Sequence, residues 1–299
     1  MKKILLFILP LSIFAAKGFS QQDTSGSLLN LLDEEKEVEY VKYSFKTNRI
    51  INLHSLESTA AGVMDVKISH RFGTVDEGIY NLFGIDEATQ RIGVDYGITD
   101  NFTVGLNRNS VRKAYDIFGK YRILRQSTGK KVMPITASLM TSVAIETQKV
   151  DLPDRVNYFP SRLIYTTQLI VGRKFNDYFT LELVPTLVHR NLVNTAAEKS
   201  DVFALGFGGR VRLSRRMTFN AEYIYVLPNQ LAPNFSNSMS IGLDIETGGH
   251  VFQLHFTNSS SMSEYGFVTQ TENNWGPNAV RFGFNVSRVF TIYDPKKGK

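Results

Sequence analysis

His54 and Glu57 stand three residues apart in NLHSLE, flanked by Asn52 and Ser55. An imidazole and a carboxylate can share a transition metal, but one of each leaves such a site incomplete. The plainer reading is a hydrogen-bonded cluster that ties this segment to neighbouring structure. A second chemistry to weigh is ester hydrolysis on a strand surface. It needs a hydroxyl and a base within hydrogen-bond reach, with a third group orienting the base. Along one strand that favours Ser and His two residues apart. His54–Ser55 and Ser69–His70 are adjacent, so an extended backbone points them to opposite faces. His255 and Thr257 have the spacing but offer the poorer nucleophile. His189, His250 and His255 form no ligand pattern with one another, and GFGG at 206–209 falls inside an expected strand rather than before a helix, so it is no phosphate loop. With no cysteine in the chain, thiolate catalysis and thiolate metal sites are excluded. No catalytic, metal or cofactor-binding residue is assigned, no cofactor is expected, and the chain reads as a non-enzyme.

The stronger chemical signal is charge placed in the middle of alternating segments. From Gly62 to Gly73, Met64, Val66, Ile68, His70 and Phe72 share one parity and Asp65, Lys67, Ser69 and Arg71 the other. A period of two over that length marks a β-strand. The pattern recurs through some twelve segments up to Tyr293. Their polar parity carries Arg91, Asp95, Asp116, Lys120, Glu182, Arg210, Glu222, Asp244 and Arg281. Both signs recur, which suits a salt-bridged or wet interior with the apolar parity turned outward. Arg49, Asn52, His54 and Glu57 lie just before the first strand, where they can meet Lys67, Arg71 and the other interior charges.

The elements that must position these residues point to a membrane barrel. The segments run about 9–13 residues, near the length that crosses a bilayer at a tilt and longer than common soluble strands. Short connections near residues 97–101, 126–131, 174–177, 214–216 and 247–249 alternate with mostly longer ones near 74–87, 147–160, 191–200, 228–237 and 258–278; 111–114 is a short exception. Outer-membrane barrels show this alternation, with the short turns in the periplasm. Aromatics such as Phe72, Tyr96, Phe102, Phe179, Phe219 and Phe290 sit near strand ends, where interface girdles lie. The fold class is all-β: a transmembrane antiparallel up-and-down β-barrel of about twelve strands, with an N-terminal segment available to enter its lumen.

Lys2 and Lys3, the apolar stretch Ile4–Ala16 and the small residues Gly18 and Ser20 read as an export signal over residues 1–20. The apolar stretch is too short for a spanning helix, which needs about 20 residues. A polar periplasmic tail follows over 21–43, then the barrel domain over 44–293 with a plug-like segment at 45–61, and a basic tail at 294–299. Of 34 basic residues, Lys2, Lys3 and Lys17 belong to the signal, leaving 31 against 28 acidic ones. A mature chain so near neutrality gives no footprint for nucleic acid. The expected partners are outer-membrane lipid, a small solute and, through the acidic run 33–39, a periplasmic protein. The expected location is the cell outer membrane.

The runs FKTNRIINLHSLE (45–57), GVMDVKISHRFG (62–73) and NLFGIDEATQRIGVDYGITDNFTVGLNRNS (81–110) resemble a group of exported β-barrel proteins of Bacteroidota known as a domain of unknown function. The likeness covers about residues 43–293. It implies an outer-membrane barrel and brings no activity, cofactor or site residue. The chain departs from the common terminal aromatic by continuing past Phe290 and Tyr293 into DPKKGK.

Three functions fit. The first is a channel or transporter for a small solute, gated or plugged by residues 45–61. The second is a closed structural or binding barrel that engages a partner through its long outer loops, above all 258–278 with Trp275. The third, weaker on the spacing above, is a barrel-wall lipid hydrolase. Glycines at 93, 105, 119, 206, 208, 242 and 283 either make room for a segment in the lumen or allow strong curvature.

Overall fold

A computed structural model describes residues 37–149, 158–193, 195, 198–276 and 278–294. The expected signal (1–20), most of the polar tail (21–36) and the end of the basic tail (295–299) lie outside the described residues. Fourteen strands follow in chain order: β1 (Val38–Tyr40), β2 (Val63–Thr74), β3 (Ala88–Thr99), β4 (Phe102–Asn109), β5 (Tyr115–Leu124), β6 (Ser127–Gly129) and β7 (Thr136–Ile145) form the first half. The second half is β8 (Leu163–Lys174), β9 (Phe179–Arg190), β10 (Asp201–Arg212), β11 (Met217–Val226), β12 (Ser238–Thr247), β13 (His250–Thr257) and β14 (Arg281–Thr291). One short helix, α1 (Glu264–Thr269), sits between β13 and β14.

Twelve of the strands form a closed antiparallel barrel, and β14 pairs with β2 to complete it, Val286 opposite Ile68. Closure removes the unpaired edge that a bilayer cannot satisfy. The remaining pair, β1 and β6, makes a small sheet outside the barrel wall, with Val38 opposite Gly129. It clasps the start of the described chain to the connection between β5 and β7, and the Arg125 guanidinium lies 4.7 Å over the Tyr40 ring. β7 begins only at Thr136, because Pro134 has no N–H to donate and Met133 pairs back with Ser127.

The two faces divide as the alternation requires. Outward residues such as Ile117 (57% exposed), Phe207 (46%) and Leu169 (40%) form an apolar belt, while Asp95, Asp116, Lys120 and Arg71 are almost wholly buried inside. A soluble protein would have the opposite arrangement. Short turns gather at the end where β2 starts and β14 finishes; by the usual rule that end faces the periplasm.

The interior is not uniformly polar. Met140 on β7, Ile164 and Ile170 on β8, Val184 and Val188 on β9, Val202 and Ala204 on β10, and Ile224 and Val226 on β11 point inward and are buried. They share a cluster with Phe45, Ile50, Leu53 and Leu56 ahead of the first barrel strand, and with Tyr265, Phe267 and Val268 of α1. The buried apolar side chains of the wall thus gather mainly on β7–β11, while charges occur all round the lumen, with Glu182, Arg210 and Glu222 on β9–β11 themselves. The expected salt-bridged interior also holds an apolar cluster that the alternation did not single out.

Candidate functional site in the barrel lumen

Residues 44–61 lie inside the wall. Their path ends at a close approach: a Cβ on Gly97 of β3 would stand 2.0 Å from the Ala60 carbonyl oxygen, so only glycine lets the segment pass there. Ala61 bridges Gly97, and Gly62 N–H donates to the Gly97 carbonyl at 2.8 Å. Between these ends the chain doubles back as a hairpin. Ile50 N–H donates to Leu53 O and Ser55 N–H to Asn48 O, each at 2.9 Å, with Arg49 opposite His54.

The hairpin tip needs partners for its backbone, because it lies away from water and is paired with no strand. Glu222 of β11 supplies them. Its carboxylate accepts from Ile51 N–H at 3.2 Å and from the N–H groups of Asn52 and Leu53 at 3.0 Å, a nest of successive donors around an anion. Gln253 Nε2 donates to Ile50 O at 2.7 Å and Asn285 Nδ2 to Ile51 O at 3.1 Å. Arg71 reaches Asn52 Oδ1 at 2.9 Å. Lower down, Lys120 donates to the carbonyls of Ser55 and Glu57, and Arg210 to those of Tyr43 and Ser44 at 2.6 and 2.7 Å. Glu57 accepts from Ser44 N–H at 2.6 Å. Three wall charges, Glu222, Lys120 and Arg210, are therefore satisfied by the backbone of this segment and the residue before it.

A second insertion enters from the opposite end. Residues 258–271 of the connection between β13 and β14 fold inward rather than projecting, and Ser259, Ser261, Met262, Glu264, Phe267 and Thr271 are all buried. This corrects the expectation that 258–278 is an outer loop for a partner; only its later part, including Glu272, Asn273 and Asn274, is exposed. Glu264 meets the hairpin and the wall together. Its carboxylate lies 2.6 Å from Arg49, 3.1 Å from His54 Nε2 and 3.3 Å from Arg91 of β3. Arg91 also pairs with Asp116 at 2.8 Å and donates to Met262 O at 2.6 Å. Burial pushes the His54 imidazole down to about 3, with the Arg49 guanidinium next in effect, so the ring is neutral and Nε2 donates to Glu264. Burial would raise the Glu264 carboxyl, but Arg49 and Arg91 hold it well below the usual range.

On the apolar side, a Cβ on Gly208 would lie 2.2 Å from Ile50 Cδ1, and one on Gly206 3.1 Å from Leu53 Cδ1. These two glycines make room for the hairpin. Gly119 does not, since its nearest side chain is Phe102.

The remaining candidates fall as follows. Lys67 bridges Asp65 and Asp95. Asp244 accepts from Gln253 at 3.0 Å. Glu182 is buried beside Gly208, and Arg281 is half-buried at the rim, donating to Phe72 O at 3.2 Å. His54 and Glu57 do not converge, because the imidazole partners Glu264 while Glu57 turns to Ser44. The hydrolase pairings do not assemble: Ser55 donates to Thr47 O, His70 stacks outward on Phe284, and Thr257 accepts from Ser240. Among the described residues no three His, Asp or Glu side chains cluster as metal ligands. Sequence reasoning missed Glu264, which is 210 positions from His54 and was legible only as a lone acid in a serine-rich stretch.

Residues 45–290 match the family described as membrane bound beta barrel domain (DUF5777), and the chain belongs to that family. No curated protein matches it. Among solved structures it is similar to a KdgM porin, with 10% identity and a TM-score of 0.48 over 76% of this chain and 99% of the other. A NanC porin shows 9% identity and 0.47 over 76% and 98%. An outer membrane channel from Pseudomonas putida F1 shows 11% and 0.46 over 79% and 98%. Family membership, the closed wall and the apolar belt together make this a membrane barrel of the outer-membrane type.

Two outcomes are expected from this site. Gly208→Ala should loosen the hairpin by about 1–3 kcal/mol, the usual range for overpacking, seen as faster protease cleavage within 45–61. Ile50→Ala added to it should restore part of the protection; no rescue would mean the two residues are not in contact. Acidification should act in the same direction. The folded-state His54 value lies below its ordinary 6.5, so its contribution is complete above pH 6.5 and fades as pH falls toward 3. Glu264 adds to the loss below its own ordinary 4.5. The slope is on the order of 1 kcal/mol per pH unit, and His54→Gln should flatten protease sensitivity between pH 6.5 and 4.5.

Proposed function

We propose that this barrel is a channel for a small solute, held shut by residues 45–61 and by the inward turn 258–271. The observation that carries the reading is that the wall closes on itself without either insertion: β14 pairs with β2, and each barrel strand has both neighbours. The hairpin is therefore an occupant of the lumen and not a stave. It is held by side chains from the wall, Glu222, Lys120, Arg210, Gln253 and Asn285, so its departure breaks no wall ladder. A twelve-strand wall is wider than the eight-strand barrels whose interiors side chains alone can fill. What departure would uncover is a passage lined by charges of both signs, with apolar side chains interspersed along β7–β11, suited to a small polar solute with an apolar face.

The arrangement also supports a closed reading, because Phe45, Ile50, Leu53 and Leu56 are buried as deeply as a protein core. Burying each such side chain contributes about 1.5–3 kcal/mol, so spontaneous opening is rare and a trigger is required. Conductance across a planar bilayer separates the two. The full chain should give little or brief current, and a chain lacking 21–61 should give a sustained ohmic one. Glu222→Gln, which keeps the fold of the wall, should raise the frequency of openings. Silence in the full chain, the deletion and E222Q alike would leave the barrel a structural element rather than a channel.

A further inference from the structure

Between the hairpin and the wall of β2, β3 and β14 lies a cavity of about 30 Å³. Space of that size holds about one or two water-sized groups. Every charged residue lining it is basic: Arg49, Lys67, Arg71 and Arg91. Three of these have carboxylate partners, Arg49 in Glu264, Lys67 in Asp65 and Asp95, and Arg91 in Asp116 and Glu264. None of those carboxylates reaches the cavity wall.

Arg71 differs. It is 1% exposed, yet among the described residues no carboxylate lies within ion-pair distance of it. Its guanidinium donates to Asn52 Oδ1 and Asn285 Oδ1, both at 2.9 Å, and to the His70 carbonyl at 2.8 Å, all neutral acceptors. Its Nε–H, like that of Arg91, has no protein partner. The Glu222 carboxylate acts on it only through space, from beyond ion-pair distance, and a buried cation without a direct counter-charge is costly, a condition that proteins relieve by pairing. Asn52 and Asn285 complete a donor-rich wall beside it.

We infer that this cavity is a binding site for a small monovalent anion, a halide or a carboxylate group, held by Arg71 with Arg49, Lys67 and Arg91. The occupant joins the hairpin, through Arg49, to the wall, through Arg71, Lys67 and Arg91, and so fastens the hairpin in place. This goes beyond the channel reading and does not require it, since a permanently closed barrel would gain the same fastening.

The test uses the purified full-length protein in detergent micelles, with the heat-unfolding midpoint followed at fixed pH and ionic strength. Sodium chloride, sodium formate and sodium gluconate are compared, gluconate being too large for the cavity. The midpoint should rise by a few degrees and saturate in chloride or formate relative to gluconate. Arg71→Gln, which keeps hydrogen bonding but removes the charge, should abolish that rise. A response to chloride alone identifies an inorganic ion, and an equal or larger response to formate identifies carboxylate recognition. Equal midpoints in the three salts, or an undiminished response in R71Q, would overturn the site. If R71Q does not fold, Lys67→Gln should halve the response or more. Crystals of the natural protein soaked in bromide should show an anomalous peak beside Arg71, and a site without that peak would be refuted independently of any variant.

Discussion

The Glu222 carboxylate, ringed by three successive backbone N–H groups of the hairpin tip, is the contact on which the lumen's arrangement depends. The bilayer demands an apolar exterior and a fully paired wall, which drives this chain's charges inward. Charges confined there need partners, because an unpaired buried ion is unfavourable by several kcal/mol. Wall residues alone do not meet the need, since Glu222, Lys120 and Arg210 all turn to the backbone of 44–57. The hairpin in turn has donors and acceptors that no strand satisfies. Each supplies what the other lacks, so hairpin and wall satisfy one another's buried polar groups.

Apolar and charged contacts divide the task. The apolar ones, with Ile50 against Gly208 and Leu53 against Gly206, supply depth of burial but little direction. Glu222, opposite Gly208 on the neighbouring strand, supplies register, because a carboxylate aimed at three particular N–H groups tolerates no slip along the chain. Glu264 then joins two insertions that arrive from opposite ends of the barrel, one through Arg49 and His54 and the other through its own backbone in α1.

Much of the wall was legible in the sequence. Alternation in segments such as 63–74 and 201–212 is a period that only a strand with two unlike faces requires, and mid-strand charges showed which face turns inward. Residues 45–61 were recognisable as the place to look, since Arg49, Asn52, His54 and Glu57 interrupt the strand pattern just before it begins. The apolar half of the interior was hidden. Met140, Val184, Val188 and Ile224 share their parity with Ser138, Glu182 and Glu222, so a reading that sorts each strand into one polar and one apolar face passes over them. The inward turn of 258–271 was hidden for a different reason. Its serines look like loop surface, and their burial is tolerable only because they bond to one another and to nearby backbone, as Ser259 does to Ser261 and Thr269 to Tyr265. His54 was legible as a tether but not its partner, because contacts across a closed barrel leave no mark on sequence spacing.

The occupation of the lumen by residues 45–61 is the central claim, and thiol accessibility in a membrane tests it most directly. The chain has no cysteine, so a single Leu53→Cys substitution reports without background. In the folded, membrane-inserted protein a bulky water-soluble maleimide should leave this position unlabelled while labelling Tyr80→Cys, at a side chain 93% exposed, to completion. Heat unfolding should then make both equally reactive. Labelling of the Leu53 position at the Tyr80 rate in the folded barrel would show the hairpin outside the lumen and contradict the account.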